Sequence, residues 1–385
     1  MNIVYISPIA SRSGYGDCAR EFGEFLLNKY KDDVAFMSTR WGDSGLSELD
    51  THTKINDKIK AKLISTLPTE IDVLYQMSLP SEFNPVGKVN IGLTAGLEFL
   101  GWPDEFIHGC NRMQKIIVPS KFTKDAMLDS EHNSVECTSD IDVVFESVDD
   151  LYLNPTSESI SDIDDDMSEI NESFCFLSMG IWTTENDRKN IKSTIKTFQT
   201  LFSNTDKDVA LVLKINGPKY NTKDKDIILR EIRKINSEYK TPKSVYLIYG
   251  NLTKTEIFKL YKHPKIKCMV SLTHGEGFGR PLLEASVAGL PIIASKWSGH
   301  LDFLPKKFCQ LVPGKINKII EPNPYKTTNS NWFYPDESVA SKFMLDCVDR
   351  YDIFKKRAGQ LAKENLEKYN KSEMFKRYKD TLNNI

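Results

Sequence analysis

The residues of this chain most suited to chemistry lie in one stretch, HGEGFGRPLLEASVAGLPIIAS, at positions 274–295. Gly277 and Gly279 permit positive φ angles and a close approach of the backbone to a ligand. Pro281 suits the first turn of a helix, because its missing amide proton would have no helical partner there. We therefore predict a helix from about residue 281 to Gly289, whose free amides and positive dipole end attract an anion.

Two carboxylates, Glu276 and Glu284, border this predicted anion site. Glu276 falls in the loop and Glu284 in the first turn of the predicted helix. Ionised carboxylates repel phosphates but accept hydrogen bonds from neighbouring hydroxyl groups. The pattern therefore favours a ligand whose diphosphate is flanked by two sugars, as in a nucleotide-sugar. The structural alternative is that Glu284 only stabilises the helix N-terminus and that Glu276 is an ordinary loop acid.

The elements that must position these residues are predicted from short apolar runs that alternate with amphipathic segments. The strands predicted in the first half are residues 2–7, 33–38, 72–77, 90–95 and 115–120, with a helix at 120–128. The second half repeats the pattern, with strands at 174–180, 208–216, 244–250, 266–273 and 291–295 and helices at 189–202, 224–239 and 253–263. We predict an α/β fold of two Rossmann-like domains that face each other across a cleft.

Composition excludes several other classes of protein. The chain has no apolar run of about 18 residues and no basic leader, so we expect a soluble, cytoplasmic protein. Its seven cysteines are scattered without a CxxC pair, which argues against a disulfide framework and a zinc site. Residues 1–172 hold 14 Lys and Arg against 31 Asp and Glu, whereas residues 173–385 hold 37 against 22. The basic half suits either a lysine-rich surface or a polyanionic partner.

The segment EGFGRPLLEASVAGLPIIAS resembles the E-x7-E region of retaining glycosyltransferases of family 4, whose fold is GT-B, and the resemblance extends over most of the chain. In that family the first glutamate contacts the donor sugar and the second contacts the nucleotide ribose. These roles fall here on Glu276 and Glu284. The resemblance also implies that the backbone of Gly277, Phe278 and Gly279 approaches the sugar and phosphate of the donor.

SMGIWTTENDRKN, at 178–190, resembles the segment whose basic residues bind the donor diphosphate. The resemblance implies this role for Lys189, with Arg188 beside it. The sequence departs from the family pattern at Ile181, where an arginine usually follows the glycine. Arg188 is the candidate to replace that arginine.

Two segments of the first half are candidates for contacts to the acceptor. SGYGD, at 13–17, resembles the first glycine-rich loop of the family, which implies that Gly14 and Gly16 approach the phosphate or the acceptor. An ordinary strand-to-helix turn is the alternative. Relatives often carry a cleft-facing histidine in the region of NIGLTAGLEFLGWPDEF, and we favour Glu98 over His108 as the residue that orients the acceptor.

Sugar transfer breaks the bond between the anomeric carbon and a phosphate oxygen, so negative charge grows on the leaving diphosphate. The helix N-terminus and Lys189 can stabilise that charge. No acidic cluster has metal-ligand spacing, and the six histidines form no HxH or HxxxH pair. We therefore predict metal-independent transfer. The expected co-substrate is a nucleotide-sugar linked to UDP, and no further cofactor is expected. Retention of the anomeric configuration is implied by the resemblance alone.

The count of predicted strands suggests domain limits. The N-terminal acceptor domain is placed at 1–172, with an acidic linker at about 155–172, and the donor domain at 173–365. GT-B enzymes of this type commonly send their last helix back to the first domain, which is expected here of residues 366–385.

A further resemblance concerns the acceptor. TAGLEFLGWPDEFIHGCNRMQKIIVPSKFTKDA resembles glycosyltransferases encoded by tailed, T4-like bacteriophages, which glycosylate hydroxymethylcytosine in their own DNA with glucose or arabinose. This implies double-stranded DNA as the partner and the host cytoplasm as the location. A glycan, lipid or protein acceptor is the first alternative. A catalytically silent nucleotide-binding protein on the same fold is the second.

Overall fold

The computed structural model describes residues 1–153, 163 and 167–383 of the chain. Its backbone divides into two compact units. The first unit comprises Met1–Glu146, Tyr325–Ser330 and Ser372–Ile385, and the second comprises Ser147–Pro324 and Asn331–Lys371. Most of the acidic linker predicted at 155–172 lies outside the described residues.

A parallel sheet of six strands forms the centre of the first unit. The strands are β1 (Ile3–Ser7), β2 (Val34–Ser38), β3 (Val73–Met77), β4 (Val89–Leu93), β5 (Lys115–Val118) and β6 (Asp140–Val143). Their order is β2-β1-β3-β4-β5-β6, and all neighbouring pairs are parallel. The central strand β3 is buried along its whole length, as expected for a parallel sheet covered on both faces.

Four helices connect the strands of the first unit. They are α1 (Gly14–Tyr30), α2 (Lys54–Lys60), α3 (Asp104–Asn111) and α4 (Lys121–Leu128). Helix α1 begins where the Ser13 side chain accepts a hydrogen bond from the Gly16 amide, and it buries Phe22 and Leu26 against the sheet.

The second unit repeats the same architecture. Its parallel strands are β7 (Phe174–Ile181), β8 (Val209–Asn216), β9 (Val245–Ile248), β10 (Ile266–Ser271), β11 (Ile292–Ser295) and β12 (Gln310–Val312), in the order β12-β11-β10-β7-β8-β9. An antiparallel hairpin of β13 (Gly314–Lys318) and β14 (Asn331–Pro335) follows. The helices are α5 (Ile191–Phe202), α6 (Thr222–Asn236), α7 (Lys254–Lys262), α8 (Arg280–Val287), α9 (Glu337–Asp349) and α10 (Tyr351–Lys368).

The core of the second unit lies between this sheet and its helices. Strand β8 is buried at every residue, and Leu211, Leu213 and Ile215 share a hydrophobic cluster with Phe198 of α5 and Ile232 of α6. Because all six strands are parallel, the loops that follow β7, β10 and β11 emerge at the same edge of the sheet. That edge is where doubly wound sheets bind ligands.

The last helix, α11 (Lys371–Thr381), belongs to the first unit from Ser372 onward. Its Tyr378 ring lies 4.9 Å from the Phe22 ring, and its Phe375 ring lies 5.6 Å from that of Phe25. Chain that follows the second unit therefore completes the apolar face of α1.

The predicted α/β fold of two Rossmann-like domains is confirmed by the two six-stranded parallel sheets. One local prediction was wrong. Gly279 has a φ of 98°, which allows α8 to begin at Arg280, so Glu284 lies in the second helical turn rather than the first. None of the helices in the described part of the chain is long and apolar enough to cross a membrane.

Candidate active site

Glu276 lies in the loop after β10, at the C-terminal edge of the second unit's sheet. The loop after β11 holds its backbone, because the Glu276 amide donates to Ser298 Oγ at 2.9 Å and the Gly299 amide donates to the Glu276 carbonyl at 3.0 Å. A Cβ on Gly299 would lie 2.0 Å from the Gly277 carbonyl oxygen, so the two loops touch through glycine. The position of the carboxylate is therefore fixed by two adjacent strands.

The Glu276 side chain forms a buried ion cluster with two basic residues. Lys189 Nζ lies 2.6 Å from Oε1 and 2.8 Å from Oε2, and Arg188 Nη1 lies 3.5 Å from Oε2. The Glu276 side chain is only 8% exposed. Burial alone would raise its pKa, but Lys189 and Arg188 outweigh burial and lower the pKa to about 2. Glu276 is therefore ionised at neutral pH.

The segment before α5 brings the two basic residues to this position. Asp187 accepts hydrogen bonds from the amides of Ile191 and Lys192 at 3.0 and 2.8 Å and so closes the start of α5. The Arg188 carbonyl accepts from the His274 amide at 2.8 Å, which ties the segment to the loop after β10. Burial raises the pKa of Asp187 to about 6, although its hydrogen bonds to these amides oppose the shift.

Helix α8 starts directly behind this cluster. Its first residue follows Gly279, whose left-handed backbone disfavours any residue with a side chain, and a Cβ there would also make a tight contact of 3.2 Å with His300 Cβ. The Phe278 ring is buried at a centroid distance of 5.0 Å from Phe303 and supports the turn from below. The eight-residue helix thus presents its N-terminal end beside Glu276.

Glu284 occupies a different environment from Glu276. It is partly exposed on α8, and the hydroxyl of Tyr261 lies 3.3 Å from Glu284 Oε2 and 3.1 Å from the Pro281 carbonyl oxygen. Burial first, and the Glu284 charge second, raise the pKa of Tyr261, so the phenol stays protonated. The Tyr261 hydroxyl therefore gives this carboxylate a neutral hydrogen-bond donor.

The acceptor-side candidates lie in the first unit. Gly14 and Gly16 form the first turn of α1, and a Cβ on Gly16 would lie 2.1 Å from the Ser11 carbonyl oxygen, which gives this glycine a packing role. Glu98 lies partly buried in the loop after β4, and His108 is exposed on α3.

Two residues that the sequence analysis did not single out lie at the same edge of the second sheet. Lys214 on β8 is 7% exposed, its Nζ donates to the Gly250 carbonyl at 2.7 Å, and burial lowers its pKa to about 8. His300 is fully buried, and its Nε2 lies 2.7 Å from the Ser295 carbonyl oxygen. Lys214 could have been noticed as a lysine within the apolar run VALVLKIN. No local sequence pattern marks His300.

Metal ligation has no obvious place in this arrangement. Within residues 1–153, 163 and 167–383, no three His, Cys, Asp or Glu side chains are grouped as a metal site would require. Metal independence itself stays a prediction.

Comparison with known families identifies the region that carries these residues. Residues 183–312, which include Arg188, Lys189, Glu276 and Glu284, match the family described as glycosyl transferases group 1. No curated protein sequence matches the chain.

Solved structures show that the whole chain shares a known fold. A structure of Anabaena Alr3699/HepE in complex with UDP and glucose has a TM-score of 0.67 at 12% identity, over 100% of both chains. Sucrose-phosphate synthase from Thermosynechococcus elongatus has a TM-score of 0.66 at 14% identity, over 100% of this chain and 98% of that one. An E. coli trehalose-6-phosphate structure bound with UDP-2-fluoro glucose has a TM-score of 0.64 at 12% identity, over 100% and 99%.

These structures confirm the predicted GT-B fold, and the family match confirms the predicted enzyme class. The chain is a glycosyltransferase, and residues 183–312, which match the group 1 family, lie in its second unit.

Proposed function

We propose that this glycosyltransferase takes its sugar from a UDP-sugar and transfers it, with retention, to an acceptor hydroxyl. The observation that carries the proposal is the buried, ionised Glu276 between Lys189 and Arg188 at the start of α8. The diphosphate of a nucleotide-sugar suits the two cations of this cluster, and the sugar hydroxyls suit its carboxylate. Structures of similar fold hold UDP and glucose or UDP-glucose, which supports a uridine donor.

In the proposed reaction, the bond between the anomeric carbon and the phosphate oxygen breaks and the acceptor oxygen bonds to the anomeric carbon. The leaving phosphate oxygen of UDP keeps the electron pair of the broken bond, so negative charge develops on it before it takes the acceptor proton on the same face. Lys189, Arg188 and the N-terminal end of α8 stabilise that charge. Glu276 accepts hydrogen bonds from the donor sugar and Glu284 from the ribose.

The donor is tested by calorimetric titration with UDP-, dTDP-, ADP- and GDP-glucose and with UDP-arabinose. We expect measurable binding of a UDP-sugar and weaker binding of the purine nucleotide-sugars. Release of UDP and the anomeric coupling constant of the product then establish transfer and its stereochemistry. Preference for a purine nucleotide, or an inverted product, would contradict this part of the proposal.

Metal independence is tested in the same assay. We expect turnover to change by less than about twofold after dialysis against EDTA, because Lys189, Arg188 and α8 supply the positive charge that a metal would otherwise supply. Loss of activity on EDTA treatment with recovery on Mg²⁺ or Mn²⁺ would overturn the prediction.

Hydroxymethylcytosine in DNA is the second candidate acceptor, and one observation favours it. Residues 173–385 hold 37 Lys and Arg against 22 Asp and Glu, which suits a polyanion. The test uses labelled UDP-glucose with a hydroxymethylcytosine duplex, and with the cytosine duplex of the same sequence as a matched control. Label in the first duplex alone would support a DNA acceptor. Label in neither, with label in a glycan, lipid or protein acceptor, would exclude it.

A catalytically silent nucleotide-binding protein on this fold is the remaining alternative. It has no need of Glu276, Lys189 and Glu284 together. Slow release of UDP from a UDP-sugar in water, absent in Glu276→Gln, would distinguish the enzyme from such a protein.

A further inference from the structure

Two aromatic rings stack at the C-terminal edge of the first unit's sheet. The ring centroids of Tyr15 and Trp41 are 4.0 Å apart and their planes are inclined by 21°. Tyr15 lies in the first turn of α1, shortly after β1, and Trp41 lies in the loop that follows the neighbouring strand β2. The stack therefore lies at the edge where doubly wound sheets bind their ligands.

Tyr15 anchors the stack to the sheet. Its hydroxyl donates to the Ser78 carbonyl at 3.1 Å, just beyond the end of β3. Burial raises the pKa of Tyr15, and the phenol stays a neutral donor. The Tyr15 ring is thus fixed by the end of β3, which neighbours β1 in the sheet.

The loop that carries Trp41 is also held in place. Ser44 Oγ lies 2.6 Å from both Ser11 Oγ and the Trp41 carbonyl oxygen, and the Arg12 amide donates to the Gly45 carbonyl at 2.8 Å. These bonds connect the loop after β2 with the loop after β1. The Trp41 indole is therefore carried by a loop whose backbone is held by hydrogen bonds.

Trp41 remains partly exposed although one face of its ring is covered by Tyr15. Its Nε1–H, a donor only, has no acceptor among residues 1–153, 163 and 167–383. Tryptophan is enriched at binding interfaces, where a partner covers its ring and can accept the N–H bond. The expected partner therefore has an apolar face and an oxygen at its rim.

Charge selects among ligands of that shape. Residues 1–146 hold 14 Lys and Arg against 22 Asp and Glu, and Arg12, beside the stack, lies 4.0 Å from the Glu48 carboxylate. A nucleic acid would require a surplus of cations along its phosphates. A neutral sugar ring requires none, and it has a C–H face for the indole and hydroxyl oxygens for Nε1–H.

We propose that Trp41, stacked on Tyr15, is the platform that binds a neutral sugar ring of a carbohydrate acceptor. This inference rests on the proposed function, because it identifies the acceptor class of that reaction. Trp41 is a binding residue in this proposal, and it has no part in breaking the donor bond.

The test is an array of neutral glycans probed with the full chain and with three variants, Trp41→Ala, Trp41→Phe and Leu46→Ala. Leu46 is an exposed apolar residue of the same loop and serves as the matched control. We expect the wild type to bind at least one glycan, Trp41→Ala to bind it about tenfold more weakly, and Leu46→Ala to bind it as the wild type does. Trp41→Phe keeps a ring and loses the N–H, so intermediate binding is expected.

A thermal melt accompanies each variant and shows that the chain is folded. No glycan binding by the wild type, or equal binding by Trp41→Ala, would overturn the proposal. A hydroxymethylcytosine duplex is included on the array, and a loss confined to that probe in Trp41→Ala would overturn it in favour of base stacking. Glycan binding requires no donor, so failure of the UDP-sugar proposal would be seen separately, in the UDP titration of the wild type.

Discussion

The two sheets have the same six-stranded parallel architecture, yet their C-terminal edges carry opposite chemistry. In the second unit, a buried carboxylate, Glu276, is held by Lys189 at 2.6 and 2.8 Å. In the first unit, the stacked rings of Tyr15 and Trp41 lie among serine hydroxyls, with the phenol neutral.

The difference agrees with the ligands proposed for the two units. Burying two charges costs desolvation free energy that a hydrophobic pair would not, so a buried ion pair is poorly explained by stability alone. It is well explained by a charged ligand, because its groups can bind the diphosphate and hydroxyls of a donor. An edge of aromatic rings and neutral hydroxyls suits a neutral ligand. In these proposals, the same fold carries one site for a charged ligand and one for a neutral ligand.

The largest expected effect tests the charged edge directly. Glu276→Gln keeps the size of the side chain but removes its charge, and we expect kcat to fall by about a thousandfold. UDP release measures the rate, and a thermal melt confirms the fold. A kcat within threefold of the wild type would remove Glu276 from the reaction.

Lys189→Met is expected to destabilise the second unit by about 3–5 kcal/mol at pH 7, because it leaves a buried carboxylate without its closest cation. Denaturant titration measures the loss. Lys196→Met is the matched control, since Lys196 is a surface lysine of the same unit paired with Glu238 at 2.8 Å. A loss no larger than that of the control would show that the pair is structurally unimportant.

The same variant reverses a pH dependence. In the wild type, the depressed pKa of Glu276, about 2, contributes stability that is present above its unfolded value of 4.5 and is lost as pH falls toward 2. Lys189→Met removes the largest charge that opposes burial, so we expect the pKa of Glu276 to rise above 4.5 and this contribution to stability to decline as pH rises from 4.5. Melting temperatures between pH 4 and 7 should therefore diverge as pH rises.

Glu284→Gln should have a smaller effect, since this carboxylate is partly exposed and contacts the neutral Tyr261. We expect the KM for the UDP-sugar to rise about tenfold and kcat to change little, as for the loss of one hydrogen bond to a charged acceptor. A fall in kcat equal to that of Glu276→Gln would show that the two carboxylates do not have separate roles.

The smallest effect tests the uncharged edge. Between 50 and 200 mM salt, we expect the KM for the acceptor to change by less than about twofold, because a neutral sugar releases no counterions. For a DNA acceptor with 6–10 phosphate contacts, affinity would fall by roughly 10³–10⁵ over this range. A steep salt dependence would therefore reject the carbohydrate platform and support DNA.

Much of the fold could be predicted from local patterns. Runs such as VALVLKIN are apolar along their whole length, which is the mark of a strand covered on both faces, and β8 was found there. Strand β6 was not predicted, because DIDV carries two acids and lies at the edge of its sheet. Helix α2, which is only seven residues long, was not predicted either.

The sequence alone determined that Glu276 lies in a glycine-rich loop before a helix, because the backbone geometry of Gly279 and Pro281 is a local property. Only the tertiary structure decided that Lys189, 87 residues away, would neutralise it, and that Trp41 would stack on Tyr15. Such pairings depend on which strands are neighbours in a sheet. The order of parallel strands is set by packing over the whole domain, and no short stretch of residues contains that information.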